Sequence, residues 1–302
     1  MKQAVLMALL AIFTFLPRTA SAFVARGDSV YFDGFVSLGY NYEHKRANSD
    51  NHLALGDLWI NGMKNIGHPK DIQYSYMEVS TVVSRGKIEV KQASIKCANP
   101  FKVIKAISKV TVGRFAPPFA EEWLKYPDQL NLIGYSSIFG QLVYRDDGAQ
   151  IDFIEKRLRW SLASFLGERE GGVMREQKDG KIHLYSKAIL DLPAGLGLSG
   201  SYRWSRTRDN LWAAAVKWRK GSSENISFEA VGFGEDIQWF FNYGKMIAPD
   251  CIFTARYENL RGRENIFTPG IRYYTKNIDV KLMSRFADDL PKGGQLSVIF
   301  RF

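Results

Sequence analysis

The residues with chemical potential in this chain are mostly cations spaced two apart. In Lys181–Leu190 the residues Lys181, His183, Tyr185 and Lys187 alternate with Ile182, Leu184 and Ala188, in Tyr202–Ser205 an Arg sits between two aromatics, and Lys217 and Arg219 flank Trp218. Extended, such a segment puts its oily residues on one face and its charges on the other. Arg159, Lys181, Lys187, Arg203, Lys217, Arg219, Arg256, Lys281, Arg285 and Arg301 all fall on polar faces, against the acids Glu229, Glu258 and Asp279. Point charges and guanidinium forks along a wall attract and orient anions; they make and break no bonds. The residues for bond-making chemistry are sparse. There are four histidines, His44, His52, His68 and His183. Only His183 is expected on a polar face, where Ser199 or Ser201 could neighbour it. No nucleophile elbow, zinc-protease helix or phosphate-binding glycine loop is present, so no catalytic residue, metal ligand or cofactor is assigned.

The elements carrying these cations read as strands. From Leu158 onward the alternation is clean: Leu158, Trp160, Leu162 and Leu166 oppose Arg159 and Ser161, and the pattern repeats to the end, less cleanly in Ile266–Tyr274. The final stretch, Gly293–Phe302, sets Leu296, Val298, Phe300 and Phe302 against Gln295, Ser297 and Arg301, with Ile299 the exception. A last strand must pair with the first if no bare edge is to lie in hydrocarbon. Of the earlier strands, Val30–Tyr42, His52–Met63, Asp71–Val83, Lys87–Cys97 and Ile107–Arg114, the first and last alternate and the second does so poorly. The third and fourth of them change face part-way, as bulges do. The long irregular stretch is Phe115–Asp147. The expected fold is all-β: a transmembrane antiparallel up-and-down β-barrel of about 16 strands, with 14 or 12 as alternatives.

Composition sets the surroundings. Residues 1–22 have a Lys, an apolar run and an Ala-Ser-Ala site, which is the pattern of a cleaved secretory signal peptide. The barrel would then occupy 23–302. Aromatic content is 14%, enough for girdles at two membrane surfaces. Net charge is +10 with no nucleic-acid-binding module, so no nucleic-acid partner is expected. Cys97 and Cys251 are expected too far apart to bridge.

Several stretches resemble the phosphate-selective porin O and P family. They are Lys109–Trp123 (KVTVGRFAPPFAEEW), Tyr144–Gly148 (YRDDG), Thr254–Glu258 (TARYE), Thr268–Tyr274 (TPGIRYY, with Arg272 where the family has Asn) and the closing strand. The resemblance implies a sixteen-stranded outer-membrane barrel, often a homotrimer, whose third outer loop folds into the lumen and which passes small anions, some members preferring phosphate. It implies 115–147 as that loop, with Lys125 and Arg145 as constriction candidates. It also implies Phe302 as the signal read by the barrel-assembly machinery. Arg159, Lys187, Arg203, Lys217, Arg219, Arg256, Lys281 and Arg285 then become the anion path. The loop departs from a phosphate site in carrying Glu121, Glu122, Asp128, Asp146 and Asp147. The expected function is a porin for passive diffusion of small solutes. The other readings are a barrel enzyme of lipase or protease type, or a structural or adhesive barrel.

Overall fold

The computed structural model describes residues 23–25, 30–43, 52–65, 75–84, 87–98, 100, 106–125, 130–132, 136–141, 145–166, 182–206, 209–221, 223–260, 265–288 and 290–301. The first 22 residues, Lys181 and Phe302 lie outside this set, as do His44 and His68. Seventeen strands form one sheet: β1 (Phe23–Ala25), β2 (Val30–Glu43), β3 (His52–Asn65), β4 (Tyr76–Ser84), β5 (Lys87–Ala98), β6 (Ile107–Phe115), β7 (Asp146–Glu155), β8 (Leu158–Leu166), β9 (Ile182–Asp191), β10 (Leu196–Ser205), β11 (Leu211–Lys220), β12 (Glu224–Phe233), β13 (Asp236–Ala248), β14 (Cys251–Asn259), β15 (Asn265–Tyr274), β16 (Ile278–Ala287) and β17 (Leu290–Arg301).

Each strand from β2 to β17 pairs antiparallel with its neighbours in sequence, and β17 pairs back onto β2, with Ser297 opposite Gly39 and Arg301 opposite Phe35. That closes a sixteen-stranded barrel. The short β1 pairs with β2 just beyond the end of β17, Phe23 opposite Phe32, and so continues the line of the closing strand. The sequence pattern shows no strand there, because three residues cannot display a period.

The burial pattern is inverted relative to a protein packed against water. Ile88 is 75% exposed, and Leu162, Val216, Phe241, Ile271 and Leu282 are exposed as well. His183, Lys187, Glu229, Arg256, Asp279 and Lys281 are buried. The exposed apolar side chains stand on the outer face and the buried polar ones on the inner face. An outer face of this kind is stable against lipid, where a cation near the midplane would cost about 2–4 kcal/mol.

The faces shift where register slips. Ser80 pairs with Gln92 but Thr81 with Val90, so Lys91 is the extra residue of a bulge. A second slip puts the extra residue in β3, since Val36 pairs with Leu58 but Leu38 with Leu55. These are the strands whose alternation the sequence blurs. Ile299, the odd residue of the closing strand, points inward and packs with Phe35, Trp59 and Val82. Phe35 and Trp59 stack at 5.8 Å. The connection before β17 is also shorter than the sequence suggests, since β16 ends at Ala287 and β17 begins at Leu290.

Candidate functional site

The described residues of the segment between β6 and β7 lie against the inner wall and are fixed to it from both ends. At its base Arg114 forks onto Asp147, Nε to Oδ1 at 2.8 Å and Nη2 to Oδ2 at 2.7 Å. Two glycines let the strands meet there. Gly113 has φ +119°, and a Cβ on it would stand 2.3 Å from the Ala93 carbonyl. Its register partner Gly148 would drive a Cβ to 2.3 Å from the Ser164 carbonyl and into the Phe165 ring. Above this base the segment has an oily side. Phe115 packs at 5.0 Å on Phe165, Phe119 meets Tyr185 edge-on, and Phe139 meets Phe240 edge-on at 5.7 Å. Leu211, Val231 and Ile266, all inward-facing, complete this core inside the barrel.

Polar straps hold the rest. Ala120 takes a left-handed backbone with φ 57°. Its N–H donates to Ser201 Oγ at 3.0 Å and its carbonyl accepts from Lys187 Nζ. The Glu121 carboxylate is clasped by Lys187, at 2.9 Å, and by Lys217. Glu122 accepts from Arg256 at 2.7 Å and from the Ser136 N–H at 2.7 Å. Wall carboxylates hold the backbone in turn. Glu229 accepts from the N–H groups of Glu121, at 2.5 Å, and Glu122, at 3.2 Å, while Glu258 accepts from Ser136 Oγ and the Ser137 N–H. Charge-assisted bonds of this kind are about twice as strong as neutral ones. Burial by itself raises the Glu121 carboxyl, but Lys187 and Lys217 outweigh it and hold the group at about 2, below its ordinary 4.5.

Further wall cations are engaged as well. Arg203 donates to the Asp209 carbonyl at 3.0 Å, Arg285 to Ser137 Oγ at 3.3 Å, and Arg159 to Asp191 at 2.9 Å. The fully buried Asp279 gathers Arg272 and Arg301, each at 2.7 Å, and Lys281 at 4.0 Å. Arg272 also reaches Asn131 of the loop at 2.9 Å. His183 is buried opposite Ser205, not beside Ser199 or Ser201, and Ser201 Oγ is taken by the loop. The pairing of His183 with Ser199 or Ser201 that the sequence allows is therefore not the one the register gives. Cys97 and Cys251 are free thiols.

Two cavities flank the loop. The larger, about 700 Å³, lies along β4–β9. It is lined by five cations (Lys96, Lys109, Arg145, Arg159 and Lys187) against the acids Glu78 and Asp152. Asp152 accepts from Lys109, Gln150 and Ser161, and Glu78 from Lys96 and Gln92. The smaller, about 360 Å³, lies along β11–β13 and is lined by Lys125, Lys217 and Arg219 against Glu121, Glu122, Glu224 and Glu229. Of the residues expected from the sequence, Lys187 and Arg159 therefore line the larger space with Arg145. Lys217, Arg219 and Lys125 line the smaller. Lys187, Lys217 and Arg256 converge on the loop acids. Glu78 and Lys96 fall on β4 and β5, whose alternation in the sequence is mixed; Lys109 and Asp152 stand on the polar faces that the alternation of β6 and β7 shows, ahead of the strands from which the wall charges were counted.

No protein-family model matches this sequence, and no curated protein does. Solved structures do match. A triple mutant of Rhodopseudomonas blastica porin superposes with a TM-score of 0.65 at 10% identity, covering 90% of this chain and 100% of that one. Another variant of the same porin gives 0.65 at 11% identity with the same coverage. So does a structure titled for the asymmetric conductivity of engineered proteins, at 10% identity. At this identity the likeness is one of fold. The chain has a porin-like sixteen-stranded barrel.

Proposed function

We propose that this chain is an outer-membrane porin: a water-filled channel for passive diffusion of small solutes, preferring anions. The observation that carries the reading is the inverted wall. An apolar outer face suits lipid, and a charged inner face bounds open space beside a strapped loop. The anion preference rests on the larger cavity, where cations outnumber acids five to two. A field of that sign in a confined lumen concentrates anions and repels cations. Arg159, Lys187 and Arg145 belong to this path. Lys217 and Arg219 stand over the smaller space, while Arg203, Arg256, Lys281 and Arg285 act chiefly on neighbouring protein groups. Phosphate among the anions rests on the motif resemblance alone. The same reading includes removal of residues 1–22 on export, assembly through the closing strand and Phe302, and a homotrimeric state. A barrel enzyme would need a nucleophile beside a base; Ser199 and Ser201, the serines that the sequence offers His183, do not stand opposite it.

Planar-bilayer recording tests the function. Stepwise conductance with a reversal potential of anionic sign in a KCl gradient is expected, with phosphate competing against chloride current. Absence of steps, or a cationic sign, contradicts it.

A further inference from the structure

The outer wall carries a cluster of charge just beyond a group of aromatic rings. At the end of the barrel where β11 turns into β12, Trp218, Tyr243 and Phe253 stand outward. One outward position further along, Lys220 on β11 lies opposite Glu224 on β12, and Glu224 lies opposite Lys245 on β13. The register thus sets lysine, glutamate and lysine side by side on the outer face. Both lysines are exposed, and among the described residues no carboxylate pairs with either ammonium. The Tyr243 hydroxyl donates to Glu224 Oε1 at 3.0 Å, which fixes the carboxylate and leaves Oε2 to a further donor. The flanking strands carry nothing similar. Their corresponding outward residues are Leu158, Leu190 and Leu196 on β8–β10, and Cys251, Tyr273 and Ile278 on β14–β16. On a wall that faces lipid, rings mark the level of the headgroups. The triad therefore stands among headgroups, beyond the reach of the acyl chains.

We propose that Lys220, Glu224 and Lys245 bind the phosphoethanolamine headgroup of a membrane phospholipid. The inference rests on the membrane-barrel reading and adds a lipid site on its wall. The charges of the two partners match group by group. The lipid's phosphodiester accepts from the two lysine ammonium groups, which come from the strands on either side of β12. Neighbouring strands lie about 4.8 Å apart, so the two lysine backbones stand roughly 10 Å apart. Their flexible arms can close on one phosphate from both sides. The lipid's own ammonium, two carbons from the phosphate ester, donates to Glu224. Hydrogen bonds of this charge-assisted kind are about twice as strong as neutral ones. Glu224 is the group that selects the lipid. A phosphatidylglycerol headgroup brings net negative charge to that carboxylate with no cation to answer it. The trimethylated nitrogen of phosphatidylcholine has no N–H to donate. The Trp218, Tyr243 and Phe253 rings lie next toward the membrane, beneath the glycerol of a lipid held this way; Tyr243 and Phe253 meet edge-on at 6.5 Å.

The test places the full barrel in nanodiscs holding equal parts of phosphatidylethanolamine, phosphatidylglycerol and phosphatidylcholine with the same acyl chains. The barrel is then moved to mild detergent, and native mass measurement reads which lipid stays bound. The wild type is expected to retain phosphatidylethanolamine several-fold over the other two. Lys220→Gln with Lys245→Gln should lower that retention several-fold. Lys276→Gln, which removes an exposed cation at another turn of the same end, should leave it unchanged. Glu224→Gln separates this site from a general attraction to anions: both lysines remain, so preference should pass to phosphatidylglycerol. Equal retention of the three lipids by the wild type, retention that the lysine pair leaves untouched, or a Glu224→Gln barrel that still favours phosphatidylethanolamine would overturn the proposal. Each variant is also recorded in a planar bilayer, where wild-type conductance steps show an intact barrel. A conducting barrel without lipid preference would remove the site and leave the channel; a barrel that does not enter lipid would remove the membrane reading itself.

Discussion

The two sides of the lumen use the same side-chain types for different ends. Along β9–β16 the inward cations sit against the loop: Lys187 and Lys217 on Glu121, Arg256 on Glu122, Arg285 on Ser137. Along β4–β9 they border open space, with their acids already shared among Gln, Ser and Lys neighbours. A cation's sequence position and face are therefore poor guides to its role. What decides it is whether a carboxylate from the loop reaches that part of the wall. Charge counted over the whole wall overstates the field a solute meets, because much of it is cancelled at the straps.

The largest effect should come from cutting the straps. Glu121→Gln with Glu122→Gln leaves Lys187 and Arg256 buried without their carboxylates, a loss of the kind that costs about 3–5 kcal/mol per broken pair. We expect the loop to become protease-sensitive and single-channel current to grow noisy. An unchanged digestion pattern would show that the oily side of the loop suffices. Next comes Lys187→Met with Lys217→Met. It strips the cations from Glu121, so anion preference should fall further than an equal charge change at Lys109 produces, read from reversal potentials.

The third is a pH effect. The Glu121 carboxyl is lowered from 4.5 to about 2, so its contribution to holding the loop is present above 4.5 and disappears as pH falls through about 2. The shift corresponds to stabilisation on the order of 3 kcal/mol. Current should keep its neutral-pH character down to about pH 3 and change below it; a transition near pH 4.5 would mean that the clasp does not form. The fourth is Lys96→Gln with Lys109→Gln, which should lower anion preference severalfold while loop digestion stays at the wild-type rate. The smallest effect should be at Arg203→Gln. Its charge sits against the Asp209 carbonyl, and selectivity should barely move.

Much of the barrel was legible because lipid enforces a period of two on every strand that faces it. From β8 on, that period survives in the sequence. It fails in β3 and β5 for a local reason: an extra residue between Leu55 and Leu58 of β3, and Lys91 of β5, swap the faces within one strand. It also fails where inward residues are apolar. Phe165, Val231 and Phe240 meet the loop's rings instead of water, so the inner face reads as oily at those points. The straps were not legible at all. Glu229 and the backbone of Glu121 are more than a hundred residues apart, and only closure of the barrel brings them together. The acids of 115–147 looked like a defect in an anion path; in place, Glu121 and Glu122 are the groups that fasten the loop.

The central claim is that solutes cross through the β4–β9 side. The direct measurement is single-channel current of Ser161→Cys, in a background lacking Cys97 and Cys251, before and after a bulky charged thiol reagent. The account predicts open channels whose current drops by more than half on modification, and a much smaller drop for Ser227→Cys beside the smaller cavity. Full current after complete modification of Ser161→Cys, or a larger block at Ser227→Cys, would contradict it.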